Sequence, residues 1–428
     1  MSTATTLTFG DGPDAITFGI DDLCRHTMIF GSSGSGKTTR GYNPILKKML
    51  GDLGAGALLI CAKSEAVAEA VELARQAGRT ATVVSPGTEK GIELLCGSPD
   101  VDAVYFRDTF GRVSESMKQM VDAGLARMKN ALRMLQAAGD QYYTFEHLTS
   151  YCFDDKFAAM ARIQAIEKMR AIPSDSDEAW TIREAISYED TRYIQMTPES
   201  RRAVQFCVAQ LLEPLRDVHI AKTFGRKHNL ISLDTVFSGA VIILHVPRSR
   251  YERAAQAIYT LAKRRFFTAV EMRRSNPTLD QTRPVVFGMD EYQLCISESD
   301  VSSLGIIRSA GCMVLGTTQG VSSLYAALQP EYVDAALQNF TQKLFFKTDD
   351  DATLSLLERA TKYNGGSVNP SVLFQMTRDE ALVHVTAGDT SIDRVVKTKP
   401  LYVSAAGTTV VGGQTSAQPV DVPMTGVA

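Results

Sequence analysis

The sequence predicts an α/β fold: a mainly parallel sheet, covered on both faces and interrupted by a block of helices. Three observations predict it. The first hundred of the 428 residues alternate short apolar runs with helical patterns. Strand signals vanish after about Val101 and return at Val241. Between the first apolar run and the first helix lies a glycine-rich loop, Gly31 to Thr39. Strand–helix–strand repeats need crossover connections, and crossovers make neighbouring strands parallel.

Taken in order, Thr27-Met28-Ile29-Phe30 reads as a buried strand, followed by a helix to about Leu50 that Asn43-Pro44 bends or delays. Ala57 to Cys61 is a second strand. Ser64 to Ala77 is a helix with Val67, Val71 and Ala74 on one face, closed by Gly78, and Thr80 to Val84 is a third strand. Ser114 to Ala138 is a long amphipathic helix whose Val121, Leu125, Met128, Leu132 and Leu135 recur at spacings of four and three. Helical patterns continue through Phe145–Arg170, Glu178–Ser187 and Ser200–Leu215. Strands then return at Val241–Val246, Pro284–Met289, Gly311–Gly316, Lys343–Lys347 and Leu382–Val385, with a helix over Glu252–Arg273. The expected division is residues 1–100 and 206–403 for two parts of one sheet domain, 101–205 for an all-helical insertion, and 404–428 for a flexible Gly/Thr/Ser-rich tail.

Composition narrows the class. The chain is 44% apolar and 22% charged, ordinary for a soluble globular protein, and its net charge of −3 says nothing about nucleic acid. Seven scattered cysteines form no CxxC pair, and six histidines make no ligand spacing. Both patterns argue against a zinc site and suit a reducing cytoplasm. The longest apolar stretch, Gly239 to Leu244, is far short of a membrane span, and no signal peptide is evident.

The chemistry starts at the glycine loop. Gly31, Ser32, Ser33, Gly34, Ser35, Gly36, Lys37, Thr38 and Thr39 complete a Walker A motif. Its glycines let successive N–H groups point inward at phosphate oxygens. Lys37 supplies charge to the β- and γ-phosphates of ATP, and the Thr38 hydroxyl is a Mg²⁺ ligand. Val285 to Glu291 is an apolar strand ending in Asp-Glu, a Walker B pattern in which Asp290 holds hydrated Mg²⁺ and Glu291 activates the attacking water. Gln319, at the tip of another strand, is a candidate γ-phosphate sensor. Arg308 is a candidate arginine finger for a neighbouring subunit, and Arg25 a weaker one.

Four stretches then carry a family resemblance: HTMIFGSSGSGKTT; ALLICAKSEAVAEAVELARQAGRTATVVSPG; PVVFGMDEYQ; and IIRSAGCMVLGTTQGVSSLYAAL with NFTQKLFFKTDDDAT downstream. Together the chain resembles the coupling proteins of conjugative type IV secretion systems, the TraD/TraG-like branch of the HerA–FtsK ATPases, over about residues 25 to 400. Where that family reads Asp-Pro-Lys-Gly-Glu, this chain has Cys61-Ala62-Lys63-Ser64-Glu65. The resemblance implies a RecA-like P-loop domain, an inserted all-alpha domain, a hexamer with ATP sites between subunits, and DNA threaded through a central pore. Relaxase or secretion-channel proteins are the implied partners. Family members usually carry an N-terminal transmembrane hairpin, whereas about 26 residues precede the P-loop strand here. The resulting expectation is a cytoplasmic protein, either a soluble variant or a cousin that no longer docks to a membrane channel in the usual way, with any place at the inner membrane supplied by partners.

The residues themselves speak less clearly for DNA. Lys263-Arg264-Arg265, Arg273-Arg274, Arg201-Arg202 and Arg226-Lys227-His228 are basic clusters, any one of which a solvated helix face explains more readily than a DNA contact. A related motor for viral DNA packaging, defence or repair shares every catalytic residue. A nucleotide-binding adaptor that recruits cargo without transport has no need of Glu291.

Overall fold

The computed structural model describes residues 6–10, 12–19, 22, 24–362, 368–387, 390–403 and 409–410. Its centre is a nine-stranded sheet. In chain order the strands are β1 (Thr27–Phe30), β2 (Gly56–Ile60), β3 (Ala81–Val84), β4 (Val241–Leu244), β5 (Val285–Met289), β6 (Cys312–Thr318), β7 (Gln342–Phe345), β8 (Glu380–Ala387) and β9 (Thr390–Lys397). Their order across the sheet is β9-β8-β7-β1-β6-β5-β2-β4-β3. The seven strands from β7 to β3 run parallel, and β8 and β9 add an antiparallel hairpin at one edge.

Alternation along each strand assigns the two faces, because successive side chains point to opposite sides. Met28, Phe30, Leu58, Ile60, Phe287 and Val314 face one core, and Ile29, Leu59, Ile243, Val286 and Leu315 face the other. The first core is closed by the helix Arg248–Arg273, whose Phe266 and Phe267 meet Phe287 with ring centroids 6.0 and 5.4 Å apart. The second is closed by Asn43–Gly51 and Ser64–Gln76. In the latter helix the buried arc is Ala70, Leu73 and Ala74. Val71 sits about 100° round from its centre at 3.6 residues per turn, and is 37% exposed rather than core-facing.

The helices between β3 and β4 run from Pro99 to Phe224. A two-residue parallel ladder, Gly91–Ile92 with Leu230–Ile231, ties together the chain leaving for this block and the chain returning. Glu115–Ala138 is its axis and buries all five stripe residues, Val121, Leu125, Met128, Leu132 and Leu135. The run expected over Phe145–Arg170 is two helices, Phe145–Phe153 and Asp155–Ala171. Asp154 stops the first and caps the second, accepting from the N–H groups of Lys156 and Phe157.

Two of the expected basic faces are corrected. Lys263 is fully buried against Asp300 at 2.5 Å, Arg264 pairs with Asp108 at 3.1 Å, and Arg265 reaches Glu93 at 3.6 Å. Arg273 is also buried, donating to the carbonyls of Asp280 and Arg283. Apart from the exposed Arg274, these two clusters are internal ties, whereas Arg202, Arg226, Lys227 and His228 are exposed. Among the described residues no helix is long and apolar enough to cross a membrane. The expected tail from Ser404 lies outside the described residues, apart from Thr409–Val410.

Candidate active site at the strand edge

Parallel strands bring their C-terminal ends to one edge, where open α/β sheets bind ligands. Reading along that edge from β1 through β6, β5 and β2 gives the P-loop, then Thr317 to Gln319, then Asp290-Glu291, then Lys63. Ser33, Gly34, Gly36, Lys37, Thr38 and Thr39 line one cleft with all of these, and Arg378, from the loop before β8, joins them.

The loop's backbone has the form its glycines permit. Gly34 and Gly36 adopt φ of 76° and 102°, the left-handed region that side chains avoid. Gly31, Ser32 and Ser35 lie beneath the lining. The Ser32 N–H donates to the Lys347 carbonyl, two residues past the end of the neighbouring β7, at 3.0 Å. Lys37 donates to the carbonyls of Gly31 and Ser32. The helix it opens begins with a wide turn, in which the Asn43 N–H donates five residues back to Thr38. Pro44 has no N–H to close the ordinary turn, so the expected bend takes this form.

At the Walker B end, the Thr317 hydroxyl donates to Asp290 Oδ1 at 2.6 Å and accepts from the Glu291 N–H at 3.3 Å. The tip of β6 therefore fixes the acidic turn of β5. Glu291 has a left-handed backbone, φ 71° and ψ 62°, a conformation that concentrates at functional sites in non-glycine residues. Its carboxylate lies 2.9 Å from Lys63 Nζ and 3.9 Å from Arg248 Nη1. Burial lowers the Lys37 pKa, partly offset by Asp290, reinforced by Lys63 and offset again by Glu291. The Lys63 pKa is raised, chiefly by its hydrogen bond to Glu291.

The residues fit ATP with Mg²⁺. Ser35 Oγ is buried without a partner inside the loop, a polar atom available to a phosphate or its water. Thr38 and Asp290 face the same cleft. Among the described residues no cluster of three His, Cys, Asp or Glu could hold a metal ion. A Mg²⁺ ion that takes phosphate oxygens, one hydroxyl and water needs none.

Of the residues expected from the sequence, Gln319 is exposed in the cleft, while Arg308 and Arg25 are not there. Arg308 is exposed at the end of the helix Asp300–Ser309, before β6, and so lies at the opposite edge of the sheet from its own P-loop. Arg25 precedes β1 at that same far edge and is tied to Asp22 and the Thr386 carbonyl. Sequence reasoning missed Thr317, Arg248 and Arg378, and assigned Lys63 no role. Their one legible signal is position: Thr317, Lys63 and Arg248 each stand at or just after the C-terminal end of a strand.

The fold and cleft define a class: a RecA-like P-loop domain carrying a helical insertion. Three solved structures share that fold across nearly the whole chain. The plasmid coupling protein TrwB in complex with ADP and Mg²⁺ aligns with a TM-score of 0.68 at 14% identity, over 96% of this chain and 94% of that one. The bacterial conjugative coupling protein TrwBdeltaN70, in its unbound form, aligns at 0.65 and 13%, covering 93% and 90%. VirB4 of Thermoanaerobacter pseudethanolicus aligns at 0.56 and 15%, covering 93% and 96%. No protein-family model and no curated protein matches the sequence. The expected resemblance to conjugative coupling proteins thus holds at the level of fold.

Proposed function

We propose that this chain is an ATP-driven DNA-translocating motor of the coupling-protein kind, delivering DNA or a relaxase–DNA complex for conjugative transfer and working as a homo-oligomeric ring of six copies, as in the family it resembles. The observation that carries this reading is the meeting of Walker A, Walker B and Gln319 in one cleft, on a fold shared end to end with TrwB. The structures of TrwB with ADP and Mg²⁺ and with the analogues GDPNP and ADPNP support nucleotide as the ligand. The helical block between β3 and β4 is assigned to cargo selection, because it interrupts the motor without contributing to the cleft.

In this mechanism the P-loop N–H groups and Lys37 hold the β- and γ-phosphates. Thr38 would ligate Mg²⁺ directly and Asp290 through water; the ion, when bound, neutralises charge on the phosphates. Glu291 takes the proton of a water whose oxygen bonds to the γ-phosphorus as the bond to the β,γ-bridging oxygen breaks, giving ADP and phosphate. Gln319 senses whether the γ-phosphate is present.

The test compares Glu291→Gln and Lys37→Ala with the parent, with and without single- or double-stranded DNA. Glu291→Gln should keep ATP affinity and lose about 100-fold or more in turnover. Lys37→Ala should lose binding itself. Near-parental turnover in Glu291→Gln would place the acid elsewhere, and a parent that binds ATP but hydrolyses none with any DNA would favour the adaptor reading.

A further inference from the structure

The two cations on Glu291 both come from the side away from the P-loop. Across the sheet the order is β1, β6, β5, β2, β4. Glu291 follows β5, Lys63 follows β2 and Arg248 follows β4. Lys63 takes Oε1 at 2.9 Å and Arg248 lies 3.9 Å from Oε2, so each carboxylate oxygen has a cation drawing it along the edge away from β1. Adjacent strands are about 4.8 Å apart, so β5 and β1, separated by β6, are about 10 Å apart. A carboxylate paired toward β2 is held, within the cleft, on the side of β5 away from the strand that leads into the P-loop.

From this geometry we infer that Lys63 is a positioning residue: it holds Glu291 in an ion-paired resting state and must release it before water can be activated. The inference rests on Glu291 being the water-activating acid. While the pair is closed the carboxylate oxygen is taken up by Lys63 rather than by a water over the phosphates, which lowers hydrolysis. The pair is also easy to open. Lys63 is 60% exposed, against 16% for Glu291, and an ion pair with so exposed a lysine contributes little stability. Lys63 lines the nucleotide cleft itself, so the pair sits where the hydrolysed nucleotide is held. Arg248, more distant, keeps the freed carboxylate from swinging out. It stands three residues before a kink at Tyr251, beyond which the same helical run carries Arg264 to Asp108 of the helical block.

The experiment is steady-state ATP hydrolysis by the full chain with and without DNA, for Lys63→Met, Lys63→Gln and Lys63→Arg, with kcat and KM separated. The charged groups facing Glu291 are Lys63, Arg248, Lys37 and the neighbouring Asp290, and only Lys63 is altered. Lys63→Met and Lys63→Gln should raise DNA-free kcat about threefold or more with KM unchanged, and reduce the extra stimulation by DNA. Lys63→Arg, which keeps the charge, should restore the parental kcat and the parental stimulation by DNA. A fall in kcat or a rise in KM would make Lys63 a phosphate contact and overturn the inference, as would neutral variants indistinguishable from the parent. Glu291→Gln run in parallel separates the two failures. If it is inactive while the Lys63 variants are unchanged, only the resting-state role falls; if it is active, the assignment of the acid falls with it.

Discussion

His26 illustrates how much one buried residue can fix. It stands just before β1 with a left-handed backbone, φ 59°, and is wholly buried. Its Nε2 donates to the Leu304 carbonyl at 2.8 Å and its Nδ1 accepts from the Val314 N–H at 3.1 Å, so the neutral ring joins β1, β6 and the helix Asp300–Ser309. Burial depresses its pKa from 6.5 to about 4. The unfolded chain therefore takes up a proton below pH 6.5 while the folded chain does not. This contribution is fully present above pH 6.5 and is lost as pH falls toward 4, amounting to about 2 kcal/mol by pH 5. His26→Gln, whose amide offers the same donor and acceptor, should flatten the pH dependence of urea unfolding between pH 7 and 5. An unchanged slope would assign that acid sensitivity to other groups.

Among the elements, the helical block has a polar centre. Arg127, on the axial helix, is ion-paired with Glu189, and both are buried. The guanidinium lies over the rings of Tyr193 and Tyr151, 4.0 and 5.1 Å from their centroids, and the Tyr151 hydroxyl donates to the same Glu189 oxygen at 3.3 Å. Removing one partner strands a buried charge, at a cost of roughly 3–5 kcal/mol, whereas replacing both with apolar groups is far milder. Arg127→Met should make residues 115–212 the first region to unfold, measured by limited proteolysis or hydrogen exchange, while ATP binding at the P-loop persists. A second substitution, Glu189→Met, should recover most of the loss. Joint collapse of block and sheet would instead mean that the two fold as one unit.

At the scale of the whole molecule, the position of Arg308 decides how it can act. The seven residues of β6 span about 20 Å, and they separate Arg308 from the cleft that Gln319 lines. It cannot complete its own site; it can complete a neighbour's if the chain forms a ring. Mixing inactive Arg308→Ala subunits with inactive Lys37→Ala subunits should then restore ATPase activity, since an intact P-loop of one can meet an intact arginine of the other. Absence of rescue at every ratio would remove Arg308 from the catalytic set.

What the sequence determined by itself is whatever is encoded by neighbours in the chain. The P-loop is nine consecutive residues, the strands of the parallel sheet are short apolar runs, and the axial helix declares its buried stripe at helical spacing; each is legible because its physics is local. The hairpin partner β9 was not legible, its run of Thr390 to Lys397 being too polar to stand out. The fate of Lys263 and Arg264 was not legible either, because solvation and burial of a basic residue differ only in whether an acid lies opposite, here Asp300 and Asp108. Tertiary structure alone decided that Lys63 and Arg248 meet Glu291, since three strand ends far apart in sequence become neighbours only when the strand order is set. It also decided that Arg308 lies away from its own nucleotide cleft. A motif specifies which groups a site contains; the order of strands across the sheet specifies which charges surround them.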